Sequence, residues 1–237
     1  MVNVDTVYQT VLAIANKEQR GYITPQEFNL FANQAQMEIF EQYFYDENQF
    51  SKIPGNSTEH SDMLDLLKEK ISIFKRSLNV PISSSTGQAT LPIGIYRLGN
   101  VYNSAYGNYK LEQIDESELQ NMENSIVAPT AQNPVFVTSG GASNTYSNII
   151  TVYPIGPIAV VKVTYVRRPA TVNWGYSVVD EHALHDITAS QDFELHASEE
   201  TSLVMKILSL AGIAIKDTTL YQVGEATEVK KIQQEKQ

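Results

Sequence analysis

Between residues 134 and 169 the chain runs through three short strand patterns separated by turn chemistry, and this stretch restricts the fold more than any other. Over 159–167, Val161, Val163 and Tyr165 fall on one face of an extended chain and Lys162 and Thr164 on the other, the alternation of a half-buried antiparallel strand. Residues 148–153 form a second β-branched run. Pro154-Ile155-Gly156-Pro157 lies between the two and reads as a turn, because each proline lacks a ladder donor and fixes φ. A hairpin is therefore expected. Residues 134–138 supply a third strand, joined through a polar loop at 139–147 that contains Gly140-Gly141, so the three together predict a meander. This stretch contains packing and turn chemistry but no reactive group.

Helical patterns flank it. Val7, Val11, Ile14 and Ala15 give residues 4–16 helical spacing. Thr24-Pro25-Gln26-Glu27 is a strong helix start, with threonine as N-cap, proline at the first helical position and glutamate three residues on. The helix it opens is expected to run to about residue 46. Phe28, Phe31, Ala35 and Ile39 make one apolar stripe on it, and Leu30, Met37, Phe40 and Phe44 another, so it should touch two partners. A third helix is predicted over 62–75, with Met63, Leu67, Ile71 and Phe74 on its buried side. Strands follow at 88–91, 95–102 and 109–114, then an acidic stretch at 115–118 that reads as a brief helical turn. Ser198-Glu199-Glu200 opens the last strong helix, with acidic residues at the positive end of the dipole. Beyond it, Leu220, Val223, Val229 and Ile232 are thinly spread among charges and glutamines, the pattern of a tail that docks on a partner.

Strands bracketed by helices indicate an α+β fold, with a helical bundle from both termini beside an antiparallel β domain. The expected division is a helical region at 1–80, a β domain with long loops at 81–197, and a C-terminal helix and tail at 198–237 that packs back on the first region. The 27 acidic against 17 basic residues give a formal charge of −10, which argues against gripping nucleic acid through its phosphates. The chain has no cysteine, so thiolate metal sites, disulfides and cysteine nucleophiles are excluded. Neither a signal peptide nor a membrane span is legible, and a soluble intracellular product is expected.

The one cluster with metal-ligand residue types is Asp180-Glu181-His182-Ala183-Leu184-His185-Asp186. Two imidazoles three apart on a helix can meet one cation, which makes His182, His185 and Asp186 candidate ligands. The cluster lacks the His-Glu-x-x-His arrangement, however, and lies in a segment, 178–200, that is polar throughout. It reads better as a solvated acidic loop, and no metal or cofactor is expected. No serine sits in a Gly-x-Ser-x-Gly elbow, residues 139–143 lack the lysine of a phosphate loop, and Glu116 and Glu118 read as solvated surface. Arg167 and Arg168 suit either a bidentate contact with a neighbour's carboxylates or a plain strand end. The 13 tyrosines exceed ordinary core needs and are also what subunit interfaces favour.

Taken in order, several segments resemble a known family. They are Thr24-Pro25-Gln26-Glu27-Phe28-Asn29, Leu111-Glu112, Asn133-Pro134-Val135-Phe136, Ile150-Thr151-Val152-Tyr153-Pro154, Val163-Thr164-Tyr165-Val166-Arg167-Arg168-Pro169 and Trp174-Gly175-Tyr176. Phe193-Glu194-Leu195-His196 and Lys230-Lys231-Ile232-Gln233-Gln234-Glu235-Lys236 complete the set. The combination is similar to the ring proteins of the neck and tail barrel in crAss-like and related short-tailed bacteriophages, and it spans nearly the whole chain. The resemblance implies a non-catalytic virion protein, a head-to-tail connector or adaptor of the tail tubular kind. It would form a ring of roughly twelve copies beneath the portal. Its partners would be the portal, adjacent tail rings and copies of itself. The genome would pass through the lumen without sequence-specific binding, along a wall whose acidic charge keeps DNA from sticking. On this reading Phe28, Phe31, Phe40 and Phe44 serve helix packing, and Tyr165, Arg167 and Arg168 meet a neighbouring copy. The alternatives are a different ring of the same tail or, from another class, a non-catalytic module binding peptide or sugar at the Gly140-Gly141 loop.

Overall fold

A computed structural model of the chain describes residues 1–17, 23–52, 58–104, 109–123, 125–140, 148–180 and 182–215. The fold is α+β, and it divides into two units, one of residues 1–73 with 169–237 and one of residues 74–168. Leu220, Val223, Val229 and Ile232 lie outside the described residues.

The first unit contains α1 (Val4–Lys17), α2 (Pro25–Lys52) and α3 (Thr58–Ser72). Asn3 caps α1, its Oδ1 accepting from the Thr6 backbone N–H at 3.0 Å, and Val7, Val11 and Ala15 are buried along one face as their spacing requires. The start of α2 is a complete capping box. Glu27 Oε2 accepts from Thr24 N at 2.9 Å and from Thr24 Oγ1 at 2.8 Å, while Glu27 N donates to Thr24 Oγ1 at 3.3 Å. Helix α2 continues to Lys52, beyond the expected end, and buries Phe28, Ala32, Ala35, Ile39, Phe40 and Tyr43. Phe31 and Phe44 are half-buried, Phe44 meeting Phe40 edge-on at 5.0 Å. Helix α2 packs against α3 and against the last helix of the unit, which α1 also contacts. These pairwise contacts are what the structure shows of the expected helical bundle.

Among its described residues the second unit holds eight strands and one helix. They are β1 (Lys75–Pro81), β2 (Gln88–Thr90), β3 (Ile95–Asn103), β4 (Tyr109–Lys110), β5 (Glu112–Gln113), α4 (Glu116–Glu123), β6 (Val135–Gly140), β7 (Asn148–Tyr153) and β8 (Val160–Arg167). Two four-stranded sheets run in the orders β1-β8-β3-β4 and β2-β7-β6-β5, antiparallel throughout except for the parallel β5–β6 pair. Val80, Val101, Val161 and Val163 of the first sheet and Ala89, Phe136, Ile150 and Val152 of the second share one core, and Leu119 of α4 packs with Ile114 and Val135.

The sheet orders correct the expected meander. β6 and β7 do pair, with Val135 opposite Tyr153 and Gly140 opposite Asn148, but β8 leaves them and inserts between β1 and β3. The six residues between β7 and β8 form a crossing between sheets rather than a hairpin turn. Two prolines deny them ladder donors, and Gly156 supplies a φ of 106° that only glycine adopts readily. The alternation read within β8 is nonetheless right, since Val161 and Val163 are buried and Lys162 is exposed.

Two boundaries also shift. Helix α3 ends at Ser72, so Phe74 is buried in the second unit and not on the helix, and β1 starts at Lys75, before the expected onset of strand structure. Residues 169–197, expected in the β domain, belong to the helical unit. There they form β9 (Tyr176–Val179) and β10 (His182–His185), paired antiparallel, with Phe193 and Leu195 fully buried. A 3-10 turn at Ala197–Glu199, capped by His196, then leads into α5 (Glu200–Ile215). Among the described residues no helix is long and apolar enough to cross a membrane.

Glu199 does not serve the helix end as solvated charge, as its place in the sequence suggested. It is buried in an ion pair with Lys70 at 2.6 Å, with 4% and 8% of the side chains exposed, and Lys70 Nζ lies 5.7 Å from the centroid of the Tyr43 ring. Lys70→Ala should cost about 3–5 kcal/mol in urea unfolding, because it strands a buried carboxylate. Lys70→Met combined with Glu199→Leu should recover most of that loss, and a double variant as unstable as the single one would contradict this account.

The capping box carries a pH signature. The two Thr24 donors hold the Glu27 carboxyl below its ordinary value. A depressed folded-state value contributes stability above the unfolded pKa, and that contribution disappears as pH falls through the carboxylate range. Thr24→Val should therefore lower the urea midpoint at neutral pH and lower it less in acid. An equal drop at both pH values would show that the carboxylate does not take part.

Candidate functional site

Three amide side chains on α2 organise the polar part of the helical unit. Asn29, Asn33 and Gln36 follow one another at helical spacing and address alternate residues of the extended segment that follows Pro169. One helical turn rises about 5.4 Å and two extended residues about 6.6 Å, so successive amides stay within reach of successive backbone groups. Asn33 accepts from Val172 N and donates to Val172 O, both at 2.8 Å. Asn29 accepts from Trp174 N at 2.7 Å. Gln36 donates to Ala170 O at 2.8 Å and accepts from Glu194 N at 3.1 Å, while Glu194 accepts from Ala170 N at 2.8 Å.

The segment so held delivers Trp174 into an aromatic cluster. The indole is 2% exposed, packs on Tyr8 at 4.1 Å, and stacks on Tyr176 at 5.8 Å and His185 at 5.5 Å. Its Nε1–H donates to Asp5 Oδ1 at 2.9 Å. Gly175 follows because nothing larger fits, since a Cβ there would lie 2.6 Å from the backbone of Ala189. Beside this cluster a groove of about 510 Å³ is lined by Tyr8, Leu12, Trp174, His182, Leu184 and His185.

Asp5, His185 and Ser190 stand in the residue order of a nucleophilic triad, but their hydrogen bonds run the wrong way for one. Ser190 Oγ donates its only hydrogen to Asp186 O at 2.7 Å and accepts from Gly175 N at 3.0 Å. His185 Nε2, 2.9 Å away, is then the donor to the serine and not its base. Nδ1 lies 3.9 Å from Asp5 Oδ1, beyond hydrogen-bond reach. The serine ties β10 to the chain before β9; its geometry does not activate it for attack.

The candidate metal ligands are not assembled. His182 and His185 lie on strand β10 and not on a helix, and an odd offset in a strand sends them to opposite faces, one exposed and one half-buried. Asp186 caps the 3-10 turn at Ile187–Ala189, its Oδ1 accepting from Thr188 N at 2.9 Å and Thr188 Oγ1 at 2.6 Å. Those hydrogen bonds hold its carboxyl below the usual carboxylate range. Among the described residues no group of three or more side chains of metal-ligating type comes together.

The residues expected to meet a neighbour separate across β8. Tyr165 is half-buried against the core of the second unit, Arg167 is half-buried with its backbone N–H donating to Phe74 O, and Arg168 is exposed with its N–H donating to Gly94 O. Leu111, Phe136, Trp174, Phe193 and Leu195, all within the resemblance segments, are buried. No protein-family model matches the chain, and no curated protein matches it.

The amide ladder is the feature that sequence reasoning missed. Its signal is present, because Asn29, Asn33 and Gln36 border the buried positions Phe28, Ala32 and Ala35, where uncompensated polar groups are costly. Asn33→Ala should destabilise the chain by about 1–3 kcal/mol, since it orphans both polar groups of Val172. Gln34→Ala, one position along on the exposed side, should change stability by less than about 0.5 kcal/mol. Equal effects of the two would dismiss the ladder.

Proposed function

We propose that the chain is a subunit of a ring in the neck or tail of a short-tailed bacteriophage, a head-to-tail connector through which the genome passes. The observation that carries this reading is the ordered set of segments from Thr24 to His196 that resembles such ring proteins, in a chain whose α+β layout fits the one the resemblance implies. The structure adds support from the use of its polar groups. Lys70 with Glu199, Asn33 with Val172, and Ser190 with Gly175 join segments distant in sequence. Such internal ties suit a part that keeps its shape under assembly. Large apolar side chains stand exposed at Leu30, Ile93, Ile126, Val127 and Ile187, where subunit contacts can cover them.

The purified chain should assemble into rings of roughly twelve copies with an open centre, alone or on a portal ring. Native mass spectrometry and negative-stain microscopy with the cognate portal check this. A monomer that ignores the portal and retains a peptide or sugar in the groove beside Trp174 would replace the connector with a binding module.

A further inference from the structure

Charge is divided unevenly between the two units. Residues 74–168 carry seven Lys and Arg against five Asp and Glu, whereas the other unit carries ten against twenty-two. Within the second unit the acidic side chains all fall between Glu112 and Glu123, on β5 and around α4, away from the β1-β8-β3-β4 sheet. That sheet has no acidic residue in any of its four strands.

The register puts Lys75, Arg97, Lys110 and Lys162 on one face, while Arg76, opposite Tyr165, and Arg167, opposite Ile95, fall on the other. Val161 and Val163 are buried and Tyr165 packs on the core, so Lys162, Thr164 and Val166 point the other way, followed by Arg168 just past the strand. Lys75 of β1 and Arg97 of β3 both stand opposite Val166, and Tyr102, opposite Lys162, also stands opposite Lys110 of β4. Lys75, Arg97, Lys110, Lys162 and Arg168 are all exposed. Lys75 and Arg97 are about 10 Å apart across β8, and Lys162 is about 13 Å from their row, both longer than the screening length of about 8 Å in physiological salt, so their fields overlap mainly at low salt.

Edge protection accounts for only part of this. A lysine on an edge strand blunts unwanted pairing, which suits Lys75 on β1. Lys162, however, sits on β8, which is paired with β1 on one side and β3 on the other, whereas Arg97 lies on a part of β3 that β4 does not reach, since β4 pairs only Tyr102 and Asn103. A one-signed face over the middle of a sheet is a surface complementary to something negative, and the chain carries that charge itself in its helical unit.

We propose that the outer face of this sheet is one half of a head-to-tail contact between copies, and that it docks on the acidic helical unit of a second copy. A basic face on one unit and a net acidic charge on the other would make a heterologous pair, the kind that closes into a ring or extends as a filament. The proposal rests on the ring reading above and names the surface by which the ring closes.

The test is sedimentation velocity on the full chain with Lys75→Glu, Arg97→Glu and Lys162→Glu combined, in low salt and in about 0.5 M salt, where screening shortens to roughly 4 Å. The wild-type chain should associate more weakly as salt rises, and the variant should associate at least tenfold more weakly than wild type in low salt. Circular dichroism reports whether the variant folds, and Lys75→Gln with Lys162→Gln, a milder change, should give a smaller loss in the same direction. Rings that form equally well in both variants would overturn the docking surface and leave the ring reading standing. A wild-type chain that stays monomeric even with portal would overturn the ring reading as well. A duplex DNA probe lost on charge reversal, with assembly intact, would assign the face to nucleic acid instead.

Discussion

The helical unit depends on the amide ladder from α2 to the segment after Pro169. The segment after Pro169 bridges to Gln191 through Asn173 on one edge but has no backbone partner on the edge that faces α2, and each buried N–H or C=O left unpaired there costs about 1–3 kcal/mol. Asn29, Asn33 and Gln36 supply those partners, and the near match between one helical turn and two extended residues lets them do so in sequence. Trp174 is delivered to Tyr8 and Asp5 by this attachment, and His185 is then placed by stacking on the indole. Gln36 also accepts from Glu194, so the same ladder fixes the chain just before α5, beside buried Phe193 and Leu195.

A unit stitched this way relies on buried polar pairing for uniqueness more than for gross stability. The Lys70–Glu199 pair illustrates the distinction. Its desolvation offsets much of the mutual attraction, and an apolar pair of similar volume could equal it in stability. Charge pairing nevertheless penalises any arrangement of α3 against the start of α5 that separates the two, as apolar contact does not.

The sequence made local features legible where the determinant was local. The Thr24 box was readable because both partners lie within one turn, and the alternation in β8 because burial follows a period of two. It misled where the determinant was distant. Residues 178–200 look polar and solvated by composition, yet Phe193, Glu194 and Glu199 are buried there, because the partners that satisfy the two carboxylates, Ala170 and Lys70, lie far along the chain. The helical spacing seen in His182 and His185 failed for the same reason: pairing with β9 overrode it and sent the two rings to opposite faces. The polar ties of Ser190 were likewise invisible, since they require Gly175 to lie against Ala189 first.

The crossing at residues 154–159 also decides the charge of the outer sheet. Had β8 folded back on β7 as a hairpin, Lys162 would stand beside the Thr and Asn side chains of β7, in a sheet whose other edge carries Glu112. Because β8 instead enters between β1 and β3, its lysine joins Lys75, Arg97 and Lys110 on one face. The two prolines and Gly156 are therefore more than a break in the strand pattern. They separate the basic strands from the acidic stretch at 112–123, and so they set the charge of that face.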